Sequence, residues 1–345
     1  MKSIKEALES VKRGPTDVVG IDVQENEIRV VRIRRNDKEL SLLGADTLPA
    51  IQLPQPVEES ETPADIPALT IPPKLRGKHA AICMAGESST IKLLSFPGAF
   101  TPEAEEKVVQ NLGVEDPNKY RISYKLVSEG HGKSESKVLA VALPENEAAA
   151  AHKLLPTGTP APFSLEVSSL ALLTAFLRGP GSSKDEAAGS IEFGANTSTF
   201  ALFSKGILSL IRRFPVGANS VVAKVQASLG VDRETAQGIM SDGAFDISQS
   251  VNEVMEPLIK QMIVSRDFVE RRESCHISAI HVSGSLRSSN DLLNEIKSAL
   301  SIDITPWDPF DGLTVSPDAI PENLKNRSWI FTAAVGACLG VFEET

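Results

Sequence analysis

Two apolar runs near the start of the chain, VVGIDV at 18–23 and IRVVRI at 28–33, flank the polar tetrad Gln24-Glu25-Asn26-Glu27. Short apolar runs bounded by a polar turn predict two strands joined as a hairpin. Similar runs at 79–84, 90–96, 121–127 and 137–143 each predict a further strand. Thr101-Pro102-Glu103-Ala104-Glu105 sets an N-cap threonine before a proline at the first helical position, so a helix starts there. Helices are also expected at about 144–155 and 168–177.

The opening pattern returns after the Gly/Ser-rich run at 178–185, the expected domain boundary. Ser190-Ile191-Glu192-Phe193-Gly194 reads as a strand, Ala195-Asn196-Thr197-Ser198 as a turn, and 199–204 as the return strand. Lys205-Gly206 makes a tight turn into a strand at 207–214. Helices are expected at about 218–229, 232–241 and 257–273, the last with Leu258, Met262, Ser265 and Val269 at helical spacing. A strand at 277–282 runs into Ser283-Gly284-Ser285, followed by helices at 291–299 and, rich in small residues, at 328–339. A strand, an acidic residue, a turn and a return strand thus occur twice, at Asp22 and at Glu192. That repetition predicts a duplicated α/β unit.

A proline-rich acidic stretch at 49–73 interrupts the first half. Its prolines at 49, 54, 56, 63, 67, 72 and 73 alternate with Glu58, Glu59, Glu61 and Asp65, which predicts an extended surface linker. Residues 1–16 read as a leader, with Ile4, Leu8 and Val11 on one helical face. At 345 residues the chain can bury more than one core. Lys+Arg 35 against Asp+Glu 45 leaves −10, so no global field draws the chain to nucleic acid or anionic lipid. Three scattered cysteines argue for a reducing compartment. The absence of an 18-residue apolar run or a secretory leader makes a soluble, cytoplasmic protein the expectation. Cys275, His276 and His281 lie in or beside one predicted strand without a fourth ligand at suitable spacing, so no metal site is expected there. His79, His131 and His152 have no nucleophile pattern near them, and triad hydrolysis is not expected.

The motifs, taken in order, resemble one family. VVGIDVQENEIRVVRI resembles the phosphate hairpin of the PilM family, actin-like proteins of type IV pilus assembly. HAAICMAGESSTIKLLSFPG with TPEAEE is similar to the family's approach to its inserted subdomain. KVLAVALPENEAAAAHKLL with SLEVSSLALLTAFL resembles the return to its first domain. SIEFGANTSTFALFSKGILSLIRRFPVGANSVVAKVQASLGV resembles the second phosphate hairpin and the helix after it. AIHVSGSLRSSNDLLNEIKSALSIDITPWDPF resembles the adenosine-side strand, turn and helix.

The resemblance implies an actin-like, ribonuclease H-like duplicated α/β fold, with two domains around a cleft. The first domain would comprise 17–87 and 138–180, with an inserted α/β subdomain at 88–137. The second would span 186–345, with a helical part near 216–273. ATP with Mg²⁺ would contact Asp22, Gln24, Asn26, Glu192, Gly194, Asn196, Thr197, Ser283 and Gly284. Asp22 and Glu192 would hold the metal through water. The implied partner is the cytoplasmic N-terminal peptide of a PilN-like bitopic inner-membrane protein, docked near 88–137, with self-association as a further possibility.

Four elements depart from the family pattern. The first turn, Gln24-Glu25-Asn26, is bulkier and more acidic than the usual small turn. Glu192 replaces an aspartate, Ser283-Gly284-Ser285 a glycine pair, and Gln237 and Met240 a Glu and Lys near the ribose. An extra charge about 4 Å from phosphate costs roughly 1–4 kcal/mol, so weak ATP binding and little or no ATPase turnover are expected. The expected function is a cytoplasmic assembly scaffold. Alternatives are a small-molecule kinase of the same fold, an FtsA-type division protein and a GspL-like secretion component. Glu166 is read as a solvent-facing strand residue, with a water-activating base as the alternative.

Overall fold

The structure, a computed structural model, describes residues 14–51, 66–156, 160–182, 186–242 and 245–343. Most of the leader, residues 52–65 of the proline-rich stretch and the end of the Gly/Ser-rich run lie outside them. The chain divides into two compact units, Met1–Gly179 with Pro309–Thr345, and Pro180–Asp308. Residues 309–345, expected in the second domain, therefore belong with the first unit.

The first unit contains β1 (Asp17–Val23), β2 (Glu27–Asn36), β3 (Glu39–Pro49), β4 (His79–Met84), β5 (Thr90–Pro97), α1 (Pro102–Leu112), β6 (Tyr120–Ser128), β7 (Glu135–Pro144), α2 (Glu145–Lys153), β8 (Ala161–Val167) and α3 (Ser168–Arg178). The second contains β9 (Ala187–Phe193), β10 (Ser198–Ser204), β11 (Ile207–Phe214), α4 (Ala218–Leu229), α5 (Arg233–Asp242), α6 (Ser248–Glu273), β12 (Ile277–Gly284), α7 (Asn290–Leu300) and β13 (Asp303–Pro306). The chain returns to the first unit with β14 (Thr314–Val315) and α8 (Thr332–Glu343).

Strand order in the large sheet of the first unit is β14-β3-β2-β1-β4-β8, and in the second unit β11-β10-β9-β12-β13. In each, three consecutive strands form an antiparallel meander. Two parallel strands then add on the far side of the first one. The duplication expected from Asp22 and Glu192 is thus a duplication of topology.

In the first unit, Val18 on one face of β1 packs with Ala171 of α3 and Ala334 and Cys338 of α8. Val19, Ile21 and Val23 face the other way, toward Ala148 and Ala151 of α2. Each such burial contributes roughly 1.5–3 kcal/mol, and helices on both faces explain why β1 is buried on both sides. Glycine lets the layers close: a Cβ on Gly20 would lie 2.0 Å from the Ala334 carbonyl oxygen, and one on Gly336 would lie 1.8 Å from that of Ala171. These contacts explain why the small-residue C-terminal helix joins the first unit. Burial raises the pKa of Asp17, but hydrogen bonds and charge from Arg32 and Arg34 outweigh it and hold the carboxylate below its ordinary value. The second unit closes on Phe193, Phe200, Leu258, Met262, Leu292 and Ile296.

Several expectations are corrected. Strand β3, unpredicted, continues the first meander. Residues 66–73, expected as surface linker, are partly packed: Ile71 is buried, and the Leu69 N–H donates to the Leu154 carbonyl at 2.8 Å. The small sheet, ordered β5-β7-β6, extends to Pro144 rather than stopping at 137. Helix α6 begins nine residues before Pro257, which sits inside it on an exposed position. The C-terminal helix expected at 328–339 is a 3-10 segment, Glu322–Phe331, followed by α8.

Candidate functional site

Asp22 stands one residue before the end of β1, fully buried. Strand register sets Arg29 of β2 on one side of it and Cys83 of β4 on the other, and Glu166 of β8 beside Cys83. Side chains at matched positions of neighbouring strands share a face, so the four form a polar row across the sheet.

The first carboxylate oxygen of Asp22, Oδ1, is occupied by the chain itself. It accepts from Gln24 Nε2 at 2.7 Å, from Ser168 Oγ at 2.6 Å and from Cys83 Sγ at 3.5 Å. The Gln24 amide also reaches Ser168 Oγ at 3.3 Å, which ties the turn to the start of α3. Oδ2 has no hydrogen-bond partner and faces Arg29 Nη1 at 3.6 Å. Arg29 is fixed in turn by Glu27 at 3.0 Å and by the Ile330 carbonyl at 3.2 Å. Burial, with the negative charges of Asp22 and Glu166 adding to it, pushes the Cys83 thiol well above its ordinary pKa, so it remains a protonated donor.

A carboxylate that faces a guanidinium and accepts from three donors is already engaged by protein groups. A hydrated Mg²⁺ needs carboxylate oxygens free to receive its water shell. One oxygen here takes three donors and the other faces a cation, so this arrangement fits Mg²⁺ poorly. Among the described residues, no three His, Cys, Asp or Glu side chains are grouped so as to hold a metal ion.

The second hairpin is also engaged internally. The Gly194 N–H donates to the Thr197 carbonyl at 3.0 Å and closes the turn. The Gly194 and Ala195 carbonyls then accept from the Ala218 and Asn219 N–H groups at 3.0 and 2.8 Å, which satisfies two free donors at the start of α4. Asn219 Nδ2 donates to Asn196 Oδ1 at 2.6 Å, and Arg233 Nη2 to Asn219 Oδ1 at 2.7 Å. Glu192 is half-buried, with buried Thr199 and Ser283 at its matched positions on β10 and β12. Gly284 has φ +91, and a Cβ there would lie 2.3 Å from the Phe193 carbonyl oxygen, so glycine is required by packing within the unit.

The structure therefore brings Asp22 and Gln24 into direct contact and leaves Asn26 exposed on the same turn. In the second unit Glu192, Gly194, Asn196 and Thr197 cluster at the hairpin, with buried Ser283 and Gly284 beside it. Glu166, expected to face solvent, is half-buried, with one carboxylate oxygen 3.4 Å from where a Cβ on Gly340 would stand. Sequence reasoning missed Arg29, Cys83, Ser168, Asn219 and Arg233 as parts of these clusters. Hairpin register alone could have placed Arg29 opposite Asp22.

No protein-family model matches the chain, and no curated protein does either. Solved structures match along nearly its whole length. A chain of a PilM-PilN type IV pilus biogenesis complex superposes with TM-score 0.76 at 14% identity, covering 95% of this chain and 99% of that one. A Bacteroides thetaiotaomicron protein described as having an actin-like ATPase fold and unknown function gives TM-score 0.47 at 10% identity, covering 96% and 97%. An archaeal actin homolog gives 0.46 at 9%, covering 95% and 100%. The fold is the actin-like one, shared with the chain of the PilM-PilN structure over the matched 95% of this chain. Among the described residues, no helix is long and apolar enough to cross a membrane.

Proposed function

We propose that this protein is a PilM-like scaffold of a type IV pilus or related assembly machine. In this reading it sits at the cytoplasmic side of the inner membrane and holds the N-terminal peptide of a PilN-like membrane protein. The carrying observation is the fold match to a chain of the PilM-PilN complex, near-complete for both chains at TM-score 0.76. The chemistry of the first hairpin supports a scaffold over an ATPase, because Gln24 and Ser168 donate to one oxygen of the carboxylate that Mg·ATP would need and the Arg29 guanidinium faces the other. ATP binding, where it persists, is weak in this reading.

The small sheet offers a place for the peptide. Strands β5 and β6 are its two edges, and an edge strand can accept an extended peptide as an added strand. On β6, Tyr124 and Leu126 are exposed two residues apart and so share a face. The test is calorimetry with a synthetic peptide copying the N-terminus of the membrane protein encoded beside this gene, against Mg·ATP. Binding of the peptide more tightly than of Mg·ATP is expected. Micromolar ATP binding with no peptide binding would overturn the scaffold and favour a small-molecule kinase.

A further inference from the structure

Helix α6 carries an apolar stripe that its own unit leaves partly exposed, with the Arg272 guanidinium 5.8 Å from the centre of the Phe268 ring. Val264 is 53% exposed and Phe268 44%. They lie one turn apart on a face that also exposes Pro257 and Gln261. Along one flank of that stripe run Glu256, Lys260, Asp267 and Arg271, with signs minus, plus, minus, plus. Reflected about the midpoint between residues 263 and 264, beside Val264, each of these charges falls on one of opposite sign. A parallel copy of the helix in register would set like charge on like. An antiparallel copy related by a two-fold axis at Val264 sets Glu256 against Arg271 and Lys260 against Asp267, each pair twice. Helical phase puts all four on the same flank of such a pair, and Phe268 then lands between Pro257 and Gln261 of the other helix.

Pairing within the helix explains part of this pattern. Lys260 contacts Glu256 at 2.6 Å, Asp267 pairs with Arg266 at 2.6 Å, and Arg271 Nε donates to the Asp267 carbonyl at 2.9 Å. The exposed Lys260–Glu256 pair is weak and readily exchanged, whereas half-buried Arg266 holds Asp267 through two nitrogens, at 2.8 and 2.6 Å. These pairings leave unexplained the apolar stripe beside these charges, where Val264 and Phe268 stay about half exposed.

We propose that α6 is a self-association surface whose occupant is the α6 helix of a second copy of this chain, antiparallel about a two-fold axis at Val264. The stripe from Glu256 to Arg271 is about 22 Å long, and one helix face of that length buries less area than stable dimers need. The dimer is therefore weak, concentration-dependent and weakened by salt.

Sedimentation equilibrium of the full chain tests this. The weight-average mass should rise from the 36.9 kDa monomer toward twice that value between micromolar and millimolar protein. Phe268→Glu should hold it at the monomer, with an unchanged circular dichroism spectrum as the folding control. Glu256→Lys or Arg271→Glu alone should weaken association at least tenfold, and the double reversal should restore it. Within one chain these two positions are about 22 Å apart, more than two Debye lengths at physiological salt, so restoration reports a contact between chains. A monomer at every concentration, or self-association indifferent to Phe268→Glu or to the charge reversals, would overturn the proposal.

Discussion

Gly20→Ala is expected to cost about 3 kcal/mol of folding stability, measured by urea unfolding. The added Cβ would meet the Ala334 carbonyl oxygen at 2.0 Å and the Cys338 sulfur at 2.8 Å. Neither side can yield easily. Strand β1 is paired on both edges, and α8 is held against α3 by Gly336, where a Cβ would lie 1.8 Å from the Ala171 oxygen. Gly238 on α5 supplies the contrast, because a Cβ there meets nothing within 4 Å. Gly238→Ala should stabilise by about 0.5–1 kcal/mol through helix propensity. Equal stabilities for the two variants would refute the packing described for β1, α8 and α3.

The second large effect concerns Arg29 and Asp22. Removing the half-buried guanidinium leaves the buried Asp22 carboxylate without its cation. Arg29→Met is therefore expected to lose about 2 kcal/mol, since Asp22 Oδ2 has no hydrogen-bond partner to fall back on. In an Asp22→Asn background the same substitution should cost about 1 kcal/mol, because the neutral amide needs no cation. A double-mutant cycle reads the coupling directly. Additive costs would show that the guanidinium does not compensate the carboxylate.

Much of the fold was legible where local signals agreed. Helix α4 was predicted with its observed limits because Gly217 and the left-handed Gly230 bracket an apolar stripe. The two hairpins were legible because each is an apolar run broken by a polar turn. Strand β3 escaped because ELSLLGADTLP does not alternate cleanly, and its pairing with β2 comes from long-range packing. Pro257 misled because proline favours a helix start, whereas here α6 runs through it on an exposed face where the lost hydrogen bond costs least. The return of residues 309–345 to the first unit was illegible, since nothing local says which sheet α8 will cover.

The candidate site divides along the same line. Asp22, Gln24 and Glu192 were found because they repeat at matching places in a duplicated pattern. Ser168 and Cys83 reach Asp22 only through the parallel pairing of β1 with β4 and of β4 with β8, and a single sequence does not encode that register locally. The meaning of Gln24 changed as well. Read along the chain it was bulk in a phosphate turn. In the structure it is a donor 2.7 Å from the carboxylate and within reach of Ser168.

Calorimetric titration of Mg·ATP into the native protein and into Gln24→Gly tests that closure of the first hairpin most directly. Weak binding to the native chain is expected, tightened about tenfold in the variant, equivalent to about 1.4 kcal/mol for removing one of the three donors on Asp22 Oδ1 and the bulk of its side chain. Micromolar binding to the native protein, unchanged by Gln24→Gly, would contradict the account.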